Sequence, residues 1–416
     1  MHTMVTPSSD PALKKRALGI VFLIMLLDIV GLTIIIPVAP FVVGQFSDDA
    51  LMVTLLTGIY AAAQFLAAPA IGKISDRVGR RRVLLLCVLG SAAGYVMFGI
   101  GGALWILFLS RVIDGITGGN LATAAACIAD ISTPEERPQN FALIGMAFGL
   151  GFIAGPALGG AASQFGINAP AFTAAVLALV SAGVIYFLLP ESLPAQARES
   201  APLRASDFNP FVAIGEMARK PGLAMLIVVN CLFAFGFDGM NSVMSVYVVD
   251  RFAAEPWQIG LLFVVAGVIT AFTQAVLVPR VVARTGEKPM AIVSQLGLAL
   301  GAIVIVLVPS FLWLYPNQVL LSGIGGFVWS TIGALAASKV LPHEQGRLAG
   351  VNTALQSLMT IAGPLAAGAT YDAVAPTAPF WVSAGVFLVA ALVMARVRVA
   401  PRSRNTAPAA ANAAGH

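Results

Sequence analysis

The sequence predicts an all-α integral membrane protein, with twelve transmembrane helices in two similar six-helix bundles. Three observations carry that prediction. Of 416 residues, 58% are hydrophobic and 10% charged, against roughly a quarter charged in an ordinary soluble domain, and the mean hydropathy is +0.90. Basic residues segregate into alternate loops, as the cytoplasmic loops of a multi-pass protein require. The two halves of the chain also repeat one another in register. This composition excludes a soluble globular enzyme, and the even spread of 41 Gly and 25 Pro excludes a collagen-like or disordered chain.

A span needs about 20 apolar residues, and twelve such stretches follow in order. A basic arm, 1–16, precedes the first, 17–40, which ends on Pro37 and Pro40. That stretch is too long for a signal-peptide core and no small-residue cleavage site follows, so it is expected to stay attached. After the second span, 51–71, comes a loop holding Lys73, Arg77, Arg80, Arg81 and Arg82. The third and fourth, 83–103 and 104–129, lead to a loop with one basic residue, and the fifth and sixth, 140–162 and 170–189, close the first bundle, 17–189. The polar, proline-rich stretch 190–221 reads as a cytoplasmic linker. Beyond it the spans 222–249, 259–278, 290–309, 311–337, 348–371 and 377–395 form a second bundle, 222–395, before a disordered tail, 396–416. With both ends on one side, 22 of the 24 Lys and Arg fall in the arm, the tail and the loops of that side. Arg251 and Arg111 are the other two. A miscounted span would scramble this separation. The net charge of +5 therefore reads as membrane topology and not as a nucleic-acid footprint.

The repeat is visible in several places. AQFLAAP (63–69) and TQAVLVP (273–279) each set Gln five residues before Pro, 210 residues apart; Pro134 and Pro342 precede Pro156 and Pro364 by the same interval, each of the latter within AGP. Two six-helix halves related by an axis along the membrane normal place a substrate site between them. Four ionisable residues lie inside spans: Asp28, Arg111, Asp114 and Asp238. Each costs ~2.5–3.5 kcal/mol at mid-bilayer on insertion scales, which makes each a functional candidate. Asp28 and Asp238 are 210 residues apart, so they occupy equivalent places in the two halves. Arg111 and Asp114, three apart on one helix face, read either as a self-neutralising structural pair or as part of the mechanism. Burial favours a protonated carboxyl and a nearby guanidinium an ionised one, so an Asp near Arg111 can be switched between loaded and unloaded.

GKISDRVGRRR (72–82) resembles the motif between helices 2 and 3 of the major facilitator superfamily, and GFIAGPALGG (151–160) resembles its drug:proton antiporter signature. LDIVGLTIIIPVAP (27–40), SRVIDGITGG (110–119) and ADIS (129–132) are similar to the tetracycline-efflux and related exporter branch, with departures at Gly94 and Leu298, where that branch carries acids. The resemblance implies that helices 1, 4, 7 and 10 line a central cavity, so that Asp28, Asp238, Arg111 and Asp114 would surround one site and couple proton movement to export. It further implies a gating network of Asp76, Arg77 and Arg80 with Asp130. From the residues themselves, Gly72 and Gly79 permit a tight turn and Asp76 suits the N-terminus of the next helix. Gly151, Gly155, Gly159 and Gly160 allow close helix approach, while Pro156 bends the helix; by the resemblance, that bend seals or rocks the cavity.

Candidate substrate contacts are Gln64, Asn120, Asn241, Asn352 and Gln356, with Phe237, Met240 and Trp329 as an adaptable apolar wall. Three intramembrane acids against one arginine favour cationic, zwitterionic or metal-chelated amphipathic substrates. GKI at 72–74 lacks the rest of a phosphate-binding loop, and no HExxH or GxSxG motif is present. The expectation is a secondary transporter without cofactor or metal, driven by the proton gradient. It would work as a monomer in a bacterial inner membrane with both termini cytoplasmic; a proton-coupled nutrient importer is the alternative, and a receptor or enzyme a more distant one. Cys87, Cys127 and Cys231 lie in apolar runs and read as small hydrophobes.

Overall fold

The computed structural model describes residues 10–133, 135–193, 215, 219–220, 222–341 and 345–397. Among them are helices and turns but no strand. Most of the arm, linker and tail expected from the sequence, together with Pro134 and Pro342, lies outside the described residues.

Helix α1 (Pro11–Thr33) starts where Asp10 accepts the Ala12 N–H at 2.8 Å, with proline in its first turn. The expected first span continues to residue 40, but the regular helix stops at Thr33. Pro37 and Pro40 lack the N–H that would extend it, and the short α2 (Ala39–Val43) follows. Next come α3 (Ala50–Val78) and α4 (Arg80–Ile100), hinged at Gly79 with φ 106°. The fourth crossing is broken into α5 (Leu104–Thr117) and α6 (Asn120–Ile131); α7 (Arg137–Ala162) and α8 (Ala169–Leu188) complete the first half. The second half opens with α9 (Leu223–Phe252). Its second crossing is α10 (Pro256–Phe272), a π-helical turn at Thr273–Leu277, and α11 (Val278–Thr285). Pro279 has no N–H to give a preceding carbonyl, and the helix shifts register just before it. Finally α12 (Glu287–Leu307), α13 (Leu314–Ala337), α14 (Gln345–Ala373) and α15 (Ala378–Arg396) end the bundle.

Eleven of these crossings are long and apolar enough to traverse a bilayer. The remaining one, α14, has 29 residues, ample length at 1.5 Å per residue. Its polar residues Asn352, Thr353, Gln356, Ser357 and Thr360 lower its apolarity. α14 lies against α9 and α3.

Helix pairing repeats between the halves. α1 packs on α7 as α9 packs on α14; α4 packs on α5 and α8 as α12 packs on α13 and α15. Basic residues at the start of the third crossing serve the same end of the sixth in both halves. Arg81 donates to the carbonyls of Ile185 (3.1 Å) and Tyr186, and Lys288 Nζ to those of Ala395 (2.8 Å) and Val397 (2.7 Å). These are the unpaired carbonyls of a helix C-terminus.

Between the halves, α3 lies along α14 and α7 along α10. Close approaches of backbone lie at the end remote from the termini. A Cβ at Gly368 would stand 2.8 Å from Leu51 Cα, one at Gly160 2.9 Å from Trp257 Cα, and one at Gly260 2.5 Å from the Pro156 carbonyl oxygen. Backbone meets backbone there, and that end is closed.

Candidate functional site

Asp28 sits on α1, half-buried, and its Oδ1 accepts a hydrogen bond from Asn120 Nδ2 at 2.7 Å. Asn120 is in place because the fourth crossing breaks before it. At Gly119 a Cβ would meet Ile71 Cδ1 at 2.9 Å, and at Gly118 it would meet the Tyr60 hydroxyl at 2.8 Å, so a side chain at either position would have to displace these neighbours. The break frees the Gly118 carbonyl, and Gln64 Nε2 donates to it at 2.9 Å while also reaching the Tyr60 hydroxyl at 3.2 Å. Gln64, expected as a substrate contact, is thus committed to holding the broken helix.

One turn along, Arg111 and Asp114 form an ion pair at 3.1 Å with both side chains buried. The guanidinium lies over the rings of Phe98 at 4.8 Å and Tyr95 at 5.4 Å, which offsets part of its burial cost. The hydroxyls of Ser91 and Tyr95 face the Asp114 carboxylate. Arg111 Nε and Nη2 are buried without a hydrogen-bond partner. Gly94 lies against this pair: a Cβ there would stand 3.0 Å from the Ser110 carbonyl oxygen and 3.2 Å from Asp114 Cβ. A side chain there would crowd this pair, and its neighbours would have to give by a few tenths of an ångström. Leu298 is fully buried.

In the second half, Asp238 Oδ2 accepts from Thr360 Oγ1 at 2.7 Å and from Gln356 Nε2 at 3.0 Å, both on α14. Gly239 and Gly363 let the two helices approach, since a Cβ at Gly363 would stand 2.6 Å from the Phe235 carbonyl oxygen. Among the described residues, neither Asp28 nor Asp238 has a cationic partner within 4 Å. Phe237, Met240 and Asn241 line one small cavity with Met244, Gln318 and Ser322. Asn241 donates to the carbonyl of Phe237 on its own helix at 2.8 Å. Trp329 stands edge-on to Phe233 at 5.1 Å and is 41% exposed, while Asn352 lies half-buried one turn before Gln356.

At the end nearer the termini, Arg80 gathers a polar node. It pairs with Asp76 Oδ1 at 2.5 Å and Asp130 Oδ2 at 3.0 Å, and donates to Ser75 Oγ at 2.6 Å. Among the described residues, Arg77 makes no ion pair with Asp76 or Asp130. Two sequence expectations are corrected here. Gly72 lies inside α3 with open space where its Cβ would be, so it makes no turn. Asp76 caps no helix, because α3 continues to Val78. Glu191 Oε1 instead accepts the Arg80 N–H at 3.0 Å, and Ser192 Oγ donates to Asp130 at 3.1 Å. Both follow Pro190, in the stretch read from sequence only as linker. Nearby, Lys14 Nζ donates to both Glu136 oxygens, at 3.0 and 2.8 Å, and holds that exposed carboxyl below its ordinary value.

The glycines of α7 divide by partner. Gly151 and Gly155 face Ile29 and Thr33 of α1, Gly159 faces Ile34 just past its end, and Thr33 Oγ1 donates to the Gly151 carbonyl at 3.0 Å. Gly160 and the backbone of Pro156 instead face α10 across the halves. Sequence reading missed Thr360, Tyr95, Glu191 and Ser192. Thr360 carried a usable signal: it falls four residues after Gln356, on the same helix face.

The model of the Major Facilitator Superfamily matches residues 21–364 and 256–415. The chain is 34% identical to the class C tetracycline resistance protein of Escherichia coli, over 88% of this chain and 92% of that protein. It is 28% identical to multidrug resistance protein 2 of Bacillus subtilis, over 85% and 89% of the two chains. Its fold matches the crystal structure of the human organic anion transporter MFSD10 (TETRAN) with a TM-score of 0.69 and 27% identity, covering 93% of this chain and all of that one. By that family match and the shared architecture, this chain belongs to the Major Facilitator Superfamily.

Proposed function

We propose that the chain exports small amphipathic drugs in exchange for protons, by alternating access and without a cofactor. It works as a monomer in a bacterial inner membrane, with both termini cytoplasmic. The observation that carries this reading is the pair Asp28 and Asp238, repeat-related acids inside the bundle, each held by neutral donors from a neighbouring helix. A carboxylate kept from any fixed cation is free to take and release a proton, or to meet a cationic substrate, as its surroundings change. The tetracycline- and multidrug-resistance relatives support drugs as the substrate class and export as the direction. The segregation of basic residues supports the orientation, which makes the closed end the periplasmic one. One charge crossing 100 mV yields ~2.3 kcal/mol, about a fiftyfold concentration gradient before any pH difference is added.

A second reading, an organic anion as substrate, is favoured by the two unpartnered nitrogens of Arg111 and by the name of the human relative. Proton movement in energised everted vesicles tests both. The compounds are a tetracycline with magnesium, cationic dyes, a phenicol, a quinolone and an organic anion. Compound-dependent proton release in wild type, lost in Asp28→Asn while membrane abundance is unchanged, is the expected result. Undiminished export against a gradient by Asp28→Asn would sink the assignment.

A further inference from the structure

Asp372 lies at the end of α14, in the second half, yet its carboxylate serves a helix of the first. Oδ1 accepts the Ala50 N–H at 3.0 Å and Oδ2 the Leu51 N–H at 2.8 Å. These are first-turn amides of α3, which a helix leaves unpaired unless a cap supplies an acceptor. The residue placed to cap them from within the same chain segment is Asp49, but it makes no side-chain cap and accepts instead from Ser47 Oγ at 3.0 Å. The opposite half therefore supplies the cap, and a negative charge at a helix N-terminus adds a favourable dipole interaction.

The surroundings are shaped for this contact. One turn before Asp372, Gly368 brings α14 against Leu51 and Thr54, so closely that a Cβ would stand 2.8 Å from Leu51 Cα. One turn earlier still, a Cβ at Gly58 would stand 3.6 Å from Leu365 Cγ. Tyr371 Oη donates to Asp250 at 2.5 Å and fixes the end of α14 on α9 within its own half. At this end α9 also touches α2 and α3, and the contact of α7 with α10 is made by glycine and backbone packing. Packing of that kind weakens gradually as helices separate, whereas a two-bond carboxylate cap is either made or broken.

We infer that Asp372 is the latch of the closed end: its bonds to the α3 amides must break before the halves part there, and they set how much of the population is closed. This rests on the alternating-access reading only for its consequence in transport. The test needs neither substrate nor proton gradient. In purified protein with the three native cysteines replaced, Thr54→Cys places a thiol in the seal, where Thr54 is fully buried. Its rate of maleimide labelling should rise at least about tenfold when Asp372→Ala is added, since hydrogen bonds to a charged group are worth about that factor or more. Asp372→Glu should hold labelling near the starting rate. Asp372→Asn, nearly isosteric and able to keep only one acceptor oxygen, should fall between and serves if the alanine variant does not accumulate.

Spin labels at Phe165 and Val374, both exposed at this end, give a second readout. Their distance distribution should gain a longer component in the alanine or asparagine variant. Unchanged labelling and unchanged distances in a folded variant would overturn the latch. Failure of every compound in the vesicle assay would overturn the proposed function and leave this result standing.

Discussion

Asp28 and Asp238 occupy equivalent positions in the two halves, but their supports do not. Asn120 of α6 holds the first, while Thr360 and Gln356 of α14 hold the second. Both bonds to Asp238 fall on Oδ2, which leaves Oδ1 for a proton or a ligand. Replacing Thr360 removes a short hydroxyl bond to a half-buried carboxylate, a loss of about 1.5–3 kcal/mol where the acceptor is ionised. Thr360→Val should lower transport by about tenfold or more and move its pH profile, while Thr360→Ser should restore both. A profile unmoved in Thr360→Val would show that the hydroxyl merely packs. The acids themselves were legible in the sequence, because an ionisable residue inside an apolar run stands out. Their partners were less legible, since serine, threonine and tyrosine are ordinary components of transmembrane packing.

At the scale of helices, apolar length placed eleven crossings that the structure shows long and apolar enough for a bilayer, and errors gathered where a helix meets water or another helix. α3 runs seven residues past the apolar stretch, through Gly72–Val78, because its solvent-facing last turns are polar and hydropathy cannot register them. Asp76 consequently pairs with Arg80, and the first amide of α4 turns to Glu191, remote in sequence. The small-residue stripe of α7 was legible as close packing but not by partner: Gly151 and Gly155 serve α1 and Gly159 the residue just past its end, whereas Gly160 serves the contact between halves. That division yields a prediction. A Cβ at Gly260 would stand 2.5 Å from the Pro156 carbonyl oxygen, and backbone cannot yield as a flexible side chain does. Gly260→Val should cost about 1–3 kcal/mol of overpacking, confined to the closed arrangement, and should lengthen the Phe165–Val374 spin-label distance. A comparable loss of thermal stability with no change in distance would place the strain within one half instead.

Across the whole molecule, the asymmetry of basic residues that announced the topology also has a structural component. Arg81 and Lys288 stand 207 residues apart, each at the start of a third crossing, and each donates to the last carbonyls of its sixth crossing. A helix ending at the membrane boundary leaves carbonyls that lipid cannot satisfy, so a basic side chain there stabilises the end while its charge stays on the basic side. The repeat thus preserves a helix-capping device as well as a fold, although one half uses a guanidinium and the other an ammonium. If the charge serves topology alone, losing one of 24 Lys and Arg changes little. If it also closes the helix end, Lys288→Met should lower thermal stability by about 1–3 kcal/mol, the cost of leaving its carbonyl partners unbonded, with orientation intact. Lys288→Arg, which keeps donors at that place, should recover most of the loss. Unfolding in detergent reads the stability, and accessibility of a C-terminal tag in intact and everted vesicles reads the orientation. A flipped tag with unchanged stability would assign Lys288 to topology and withdraw the capping role.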